Sequence, residues 1–137
     1  MTAKEYLGQA YRIDQRINSK LEQVTSLKAL STKATSTLSD MPKGTRNVHS
    51  KEDIILKMLE LENEINTDID ELVDLKHEIV GVIKGVPDVR FRTLLELRYL
   101  CFKSWEHIAV DMGYGIDNIF RLHKKALNSV IIPERIQ

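Results

Sequence analysis

Apolar residues recur along the first two thirds of the chain at the spacing of one helical face. From about Thr2 to Leu30 they alternate at three- and four-residue steps, which predicts an amphipathic helix. A second helix is predicted to open at Ser50, with a repeat of about 3.5 residues that Glu62 and Lys76 interrupt. The apolar positions of this repeat are Ile55, Met58, Ile65, Ile69, Leu72, Ile79 and Ile83.

So long a helix with one apolar stripe needs a partner to bury that stripe. We expect the first helix, folded back antiparallel, to be that partner, with a second copy of the chain as the alternative. The connection at residues 31–50 is rich in Ser and Thr and lacks periodicity, which predicts a loop with a turn at Met41–Gly44.

Glycine and proline at Gly81, Gly85 and Pro87 predict the end of the second helix, since both residue types disfavour continued helix. We therefore expect two domains. Residues 1–83 form a coiled-coil-like antiparallel helical hairpin with a loop at 31–50, and residues 84–137 form a smaller helical domain.

The smaller domain is predicted to contain three helices. Asp88 precedes the apolar run RTLLELRYL and Ser104 precedes the run that begins at Trp105, so both are predicted helix caps. Trp105 is expected to plug the core. Cys101 is expected in the core as well, because free cysteine is among the most often buried residues.

The segment from Trp105 to Leu127 has the spacing of a helix-turn-helix. A small residue, Ala109, stands where two helix backbones would approach, and Gly113 stands at the corner, where positive φ is needed. Ile119 then faces inward from the second helix. The remaining core positions are predicted to be Ile108, Met112, Tyr114 and Leu122.

If residues 116–130 form a recognition helix, one face of it is free to contact DNA. Arg121 could bond two acceptors of guanine, and Asn118 could pair with adenine. Lys124 and Lys125 would neutralise phosphates, whereas Asp117 would either accept from cytosine or cap the helix. The full predicted set is Ile116, Asp117, Asn118, Phe120, Arg121, Lys124 and Lys125. The alternative is a helical corner used only for protein contact.

Net charge is zero, which argues against nucleic acid until its distribution is considered. Residues 51–80 carry three Lys/Arg against ten Asp/Glu, whereas residues 81–137 carry nine against six. Local potential matters most because salt screens charges beyond about 10 Å. The acidic outer face of the second helix, which includes Asp68, is expected to be only solvated. The alternative is a surface that attracts a basic partner or keeps DNA away from this half.

Several classes of function are disfavoured by composition. The single cysteine excludes a disulfide within the chain, and no apolar run or signal sequence suggests a membrane, so we expect a cytoplasmic protein. The four histidines are scattered, which predicts no metal site. We also expect no cofactor. No catalytic constellation is found, and we expect no enzyme.

The helix-turn-helix segment resembles the fourth conserved region of bacterial sigma factors. The matching residues are Trp105, Glu106, Ile108, Ala109, Met112, Gly113, Tyr114, Ile119, Ala126 and Leu127. One departure is Gly115, which stands where such proteins usually have a capping Ser. Glycine caps only slightly less well than serine.

The whole-chain layout resembles small proteins of phages and prophages of Gram-positive bacteria that are thought to regulate transcription, often of late genes. The resemblance implies double-stranded DNA as a partner, RNA polymerase as a second candidate partner, and a homodimer through the hairpin as a candidate assembly. A small DNA-recognition subunit of a phage packaging terminase, or a protein-only interaction module, remains the alternative.

Overall fold

A computed structural model describes residues 1–40 and 51–134. The described residues are helical, with no strand among them, and the expected all-α class is confirmed. The helices are α1 (Ala3–Leu7), α2 (Gln9–Asp40), α3 (Lys51–Lys84), α4 (Val89–Leu95), a π-helical turn (Glu96–Leu100), α5 (Trp105–Met112) and α6 (Ile116–Asn128). The predicted turn at Met41–Gly44 and the predicted helix start at Ser50 lie outside the described residues.

Capping side chains set the starts of two C-terminal helices as predicted. Asp88 Oδ1 accepts a hydrogen bond from the Arg90 backbone N–H at 2.8 Å, and Ser104 Oγ accepts from the His107 N–H at 3.2 Å. Each bond satisfies a backbone donor that the first helical turn leaves unpaired. Helix α3 ends at Lys84, just before Gly85, which also confirms the predicted end.

The predicted loop start at residue 31 is wrong, because α2 continues to Asp40. Hydroxyl side chains in helices can bond to the carbonyl four residues back instead of competing with the backbone. Thr25 does so to Leu21 and Thr32 does so to Lys28, at 3.1 and 3.2 Å. A Ser/Thr-rich composition therefore did not end this helix. The N-terminal helix is instead interrupted at Gly8, which separates α1 from α2.

The described chain forms two compact units. The first combines Met1–Asp14 with the chain from Glu71 onward, and the second lies within Gln15–Asp70. The predicted division into residues 1–83 and 84–137 stays a prediction.

In the second unit, Asp68 corrects the prediction of a merely solvated acidic face. Its side chain is 9% exposed and accepts from Arg16 Nη2 at 3.0 Å and Lys20 Nζ at 2.7 Å. The hydrogen bond from Arg16, followed by that from Lys20, lowers the pKa of Asp68. These two ion pairs join the α2 and α3 segments of this unit.

The predicted apolar seam of α3 is correct in part. Ile65, Ile79 and Ile83 are buried as predicted. Ile55 and Ile69 are each 42% exposed, and Ile54 is buried. One set of seam positions therefore begins at residue 54 instead of 55. Asp68 occupies this set, which explains its burial.

In the first unit, α4, α5 and α6 pack around a shared core, and α1 packs against α6. Leu94 and Leu95 of α4 are fully buried, as are Ile108 of α5 and Ile119 of α6. From α1, Tyr6 buries its ring and donates its hydroxyl proton to Glu78 Oε1 at 2.7 Å.

The corner between α5 and α6 generates a prediction about backbone strain. Gly113 has φ +72°, and an added Cβ would meet nothing within 4 Å, so Gly113→Ala tests the left-handed backbone alone. We expect this variant to lower the free energy of unfolding by about 1–2 kcal/mol in urea denaturation.

Gly81→Ala is the matched control, because Gly81 lies within α3 with open space around its Cα. It should stabilise the protein by about 0.5–1 kcal/mol, since alanine is the better helix former. Equal effects of the two substitutions would contradict the assigned corner.

Candidate functional site

Helix α6 divides into a buried face and an exposed face. Ile119, His123 and Ala126 are at most 9% exposed and face the core. All seven side chains predicted to contact DNA are exposed: Ile116, Asp117, Asn118, Phe120, Arg121, Lys124 and Lys125. The exposed face carries three cations against one carboxylate, Asp117.

The start of α6 carries no side-chain cap. Gly115 is the N-cap residue with extended backbone, and no side chain bonds to the free N–H groups of the first turn. Asp117 lies in that turn, where a negative charge is favoured by the positive end of the helix dipole. Asp117 therefore stabilises the helix start by its charge and not as the N-cap.

A concavity of about 310 Å³ lies on one flank of α6. It brings together Arg121, Asn118 and Lys125 from α6 with Arg90 from α4 and Tyr114 from the corner. Three positively charged side chains thus surround one surface depression. Such an arrangement suits an anion, because the potentials of the three charges add.

Arg90 was not predicted as a site residue. Its Nη2 lies 3.1 Å from Asp88 Oδ2, and its pKa is raised, first by Asp88 and then by Tyr114. The cap residue Asp88 therefore also holds this guanidinium at the edge of the concavity. Sequence spacing showed that Arg90 follows a cap, but it did not show which flank of α4 packs beside α6.

Tyr114 corrects a predicted core position, since it is 37% exposed. Its N–H bonds to the Ala109 carbonyl at 3.0 Å, which closes the end of α5. The chain has then already turned through Gly113, and the ring lies outside, beside Arg90. Tyr114 therefore places an exposed hydroxyl on the surface and does not fill the core.

Ile116, Asp117, Phe120 and Lys124 do not line this concavity. Phe120 is 47% exposed and meets the Trp105 ring edge-on, with 5.6 Å between ring centroids. Trp105 is half-buried and also contacts His123, at 4.5 Å. The indole therefore braces the other flank of α6.

A buried polar pair fixes the inner face of α6. Tyr99 Oη and His123 Nε2 are hydrogen-bonded at 2.6 Å, and both residues are under 10% exposed. Burial, followed by the charges of Lys4 and Arg98, lowers the pKa of His123 to about 4. Burial raises the pKa of Tyr99 to about 12. Both groups are therefore neutral at pH 7.

The π-helical turn explains why Tyr99 faces inward and why Cys101 does not. The Cys101 N–H bonds to the Glu96 carbonyl, five residues back, at 3.0 Å. The wider turn changes which side chains face the core, and Cys101 is exposed. The prediction of a buried Cys101 is wrong, because it assumed regular α-helical spacing.

Within the described part of the chain, no three His, Cys, Asp or Glu side chains are grouped to hold a metal ion. None of its helices combines the length and the apolar content needed to cross a lipid bilayer. Comparison of the sequence with protein-family models and curated proteins, and of the fold with solved structures, found no match. The function of the candidate site is therefore inferred from the geometry of its residues.

The buried histidine generates a prediction about pH. The imidazole has a pKa near 6.5 when unfolded and about 4 when folded, so the unfolded chain binds the extra proton first as pH falls. Stability is therefore lost between pH 6.5 and about 4, by at most about 3 kcal/mol. Urea denaturation across this range should measure the loss.

His123→Gln should remove this part of the pH dependence. His107→Gln is the matched control, because His107 is exposed at the start of α5, and it should leave the pH dependence intact. An unchanged pH profile in the His123 variant would refute the assignment.

Proposed function

We propose that this chain binds double-stranded DNA through a sigma region 4-like helix-turn-helix formed by α5 and α6, as a transcriptional regulator of the phage or prophage type. The observation that carries the proposal is the convergence of Arg90, Arg121 and Lys125 on one flank of an exposed, 13-residue α6. The sharp turn at Gly113 supports it, since that turn leaves the start of α6 open.

In this proposal, α6 enters the major groove, which is wide enough for one helix. Arg121 and Asn118 reach the base edges, where a guanidinium pairs with guanine and an amide pairs with adenine. Arg90 and Lys125 hold phosphates on one side of the groove, and Lys124 reaches the backbone from the exposed face. The phosphate contacts fix orientation, and the base contacts supply specificity.

Phe120 and Ile116 offer apolar surface beside these polar groups. Both are exposed at the first two turns of α6, where thymine methyl groups would be met. Asp117 is the one carboxylate of α6, and it opposes close approach to phosphate. We therefore expect the chain to bind its target sequence more tightly than random DNA.

The neutral chain makes the affinity of a single copy modest, because only a local group of cations attracts the DNA. A second copy or a bound RNA polymerase would supply additional contacts. The exposed apolar side chains of α3 in the second unit support self-association: Ile55, Leu56, Leu59 and Ile69. The same surface suits the second candidate function, a packaging-terminase subunit, which assembles as a ring.

Light scattering of the purified chain separates these two functions. A monomer or dimer is expected for the regulator, whereas a ring of many chains is expected for the packaging subunit. The result does not depend on knowing the DNA sequence.

The proposal predicts a specific loss of DNA binding in Arg121→Gln. A duplex selected from a random library should bind this variant about 5- to 150-fold more weakly, since a bidentate base contact contributes about 1–3 kcal/mol. Fluorescence anisotropy of the labelled duplex measures the change. Lys125→Gln should instead weaken selected and random duplexes alike and reduce the salt dependence.

Arg12→Gln is the control for lost charge, because Arg12 is exposed on α2 and lies outside the α6 concavity. It should bind the selected duplex as the wild type does. If selection enriches no sequence, or if Arg121→Gln and Arg12→Gln bind alike, the proposed DNA reading by α6 is incorrect.

A further inference from the structure

A second cavity lies in the first unit, and it shares no lining residue with the basic concavity beside α6. Its volume is about 410 Å³, within the range of pockets that hold small molecules. Its lining combines four aromatic rings with two cations: Tyr11, Tyr99, Phe102 and Trp105, with Lys4 and Arg98. The DNA-binding proposal makes no use of this cavity.

The charge around the cavity is positive. Lys4 and Arg98 both line it, and none of its lining side chains is acidic. Arg98 Nη1 donates to the Lys103 carbonyl at 3.0 Å, which holds the guanidinium in place, and neither cation forms an ion pair with a carboxylate of the described residues. Both charges also lower the pKa of the neighbouring His123. The positive charge is therefore available to an anion.

The aromatic lining contains two close side-chain contacts. Tyr11 is 48% exposed and meets the Phe102 ring edge-on, with 5.5 Å between centroids. The Arg98 guanidinium lies over the Trp105 ring, 4.3 Å from its centroid. A flat ring that enters the cavity would find aromatic surface and a planar cation to stack against.

The backbone beside the cavity departs from regular geometry at two adjacent places. The π-helical turn Glu96–Leu100 carries Arg98 and Tyr99, and Phe102 has φ +56°. Positive φ is a true outlier for a bulky residue, and such conformations and π-helical turns concentrate at functional sites. The irregular segment supplies Arg98, Tyr99 and Phe102 to the same lining.

We propose that this cavity binds a small anion that carries a flat aromatic ring, with Lys4 and Arg98 holding the anionic group and Tyr11, Phe102 and Trp105 contacting the ring. Aromatic carboxylates and mononucleotides share this chemistry. The proposal stands apart from DNA binding, and its test contains no DNA.

Trp105 is the only tryptophan of the chain, so its fluorescence reports occupancy of the cavity directly. Phenyl phosphate, benzoate and adenosine monophosphate are titrated into the full chain as ring-bearing anions, with inorganic phosphate and phenol as the separate parts. We expect at least one ring-bearing anion to cause a saturable change in Trp105 fluorescence, at about tenfold lower concentration than inorganic phosphate or phenol. Whether adenosine monophosphate or benzoate binds more tightly shows whether the cavity prefers a mononucleotide or an aromatic carboxylate.

Lys4→Gln should weaken the tightest of these probes about tenfold, since Lys4 is exposed and its substitution leaves the core intact. Tyr11→Ala should also weaken binding of this probe, because it removes one aromatic ring from the lining. Lys84→Gln is the charge-matched control, because Lys84 is exposed at the end of α3 and does not line the cavity, and it should bind as the wild type does.

Three results overturn the proposal. The first is that no ring-bearing anion causes a saturable change in Trp105 fluorescence. The second is that inorganic phosphate or phenol binds as tightly as the ring-bearing anions do. The third is unchanged binding in both Lys4→Gln and Tyr11→Ala, which would place the bound anion elsewhere.

Discussion

The hydrogen bond between Tyr99 and His123 is the constraint on which the candidate site depends. Apolar packing alone is non-directional and would tolerate small rotations of α6 about its axis. A buried polar pair does not, because any rotation that separates the two side chains leaves two buried polar groups without partners, at about 1–3 kcal/mol each. The pair therefore fixes which side chains of α6 face outward, and Arg121 and Asn118 are among them.

The irregular segment around residues 96–102 links the core to the surface. Its π-helical turn directs Tyr99 inward to meet His123, and the same turn carries Arg98 to the stacked position over Trp105. Trp105 in turn contacts Phe120 on the outer part of α6. One local departure from α-helical geometry thus contributes to the core, to the bracing of α6 and to the aromatic cavity.

Local rules of sequence were sufficient for the end of α3 and for the boundaries of α5, because caps such as Ser104 and the corner glycine act within a few residues. These rules were insufficient where a shift of one residue along a helix decides which side chains are buried. One of the two sets of α3 seam positions lies one residue earlier than predicted, which buries Asp68, and the π-helical turn exposes Cys101. Arg90 joined the candidate site through packing between helices, which periodicity within one helix does not specify.

The central claim is that the outward face of α6 contacts DNA, and nuclear magnetic resonance maps that contact residue by residue. The isotope-labelled chain is titrated with a duplex selected from a random library, and amide shifts are followed. The account predicts the largest shifts in α6 and the corner before it, centred on Asn118 and Arg121, with smaller shifts near Arg90. Shifts confined to the second unit, or no shifts at a saturating concentration of DNA, would contradict it.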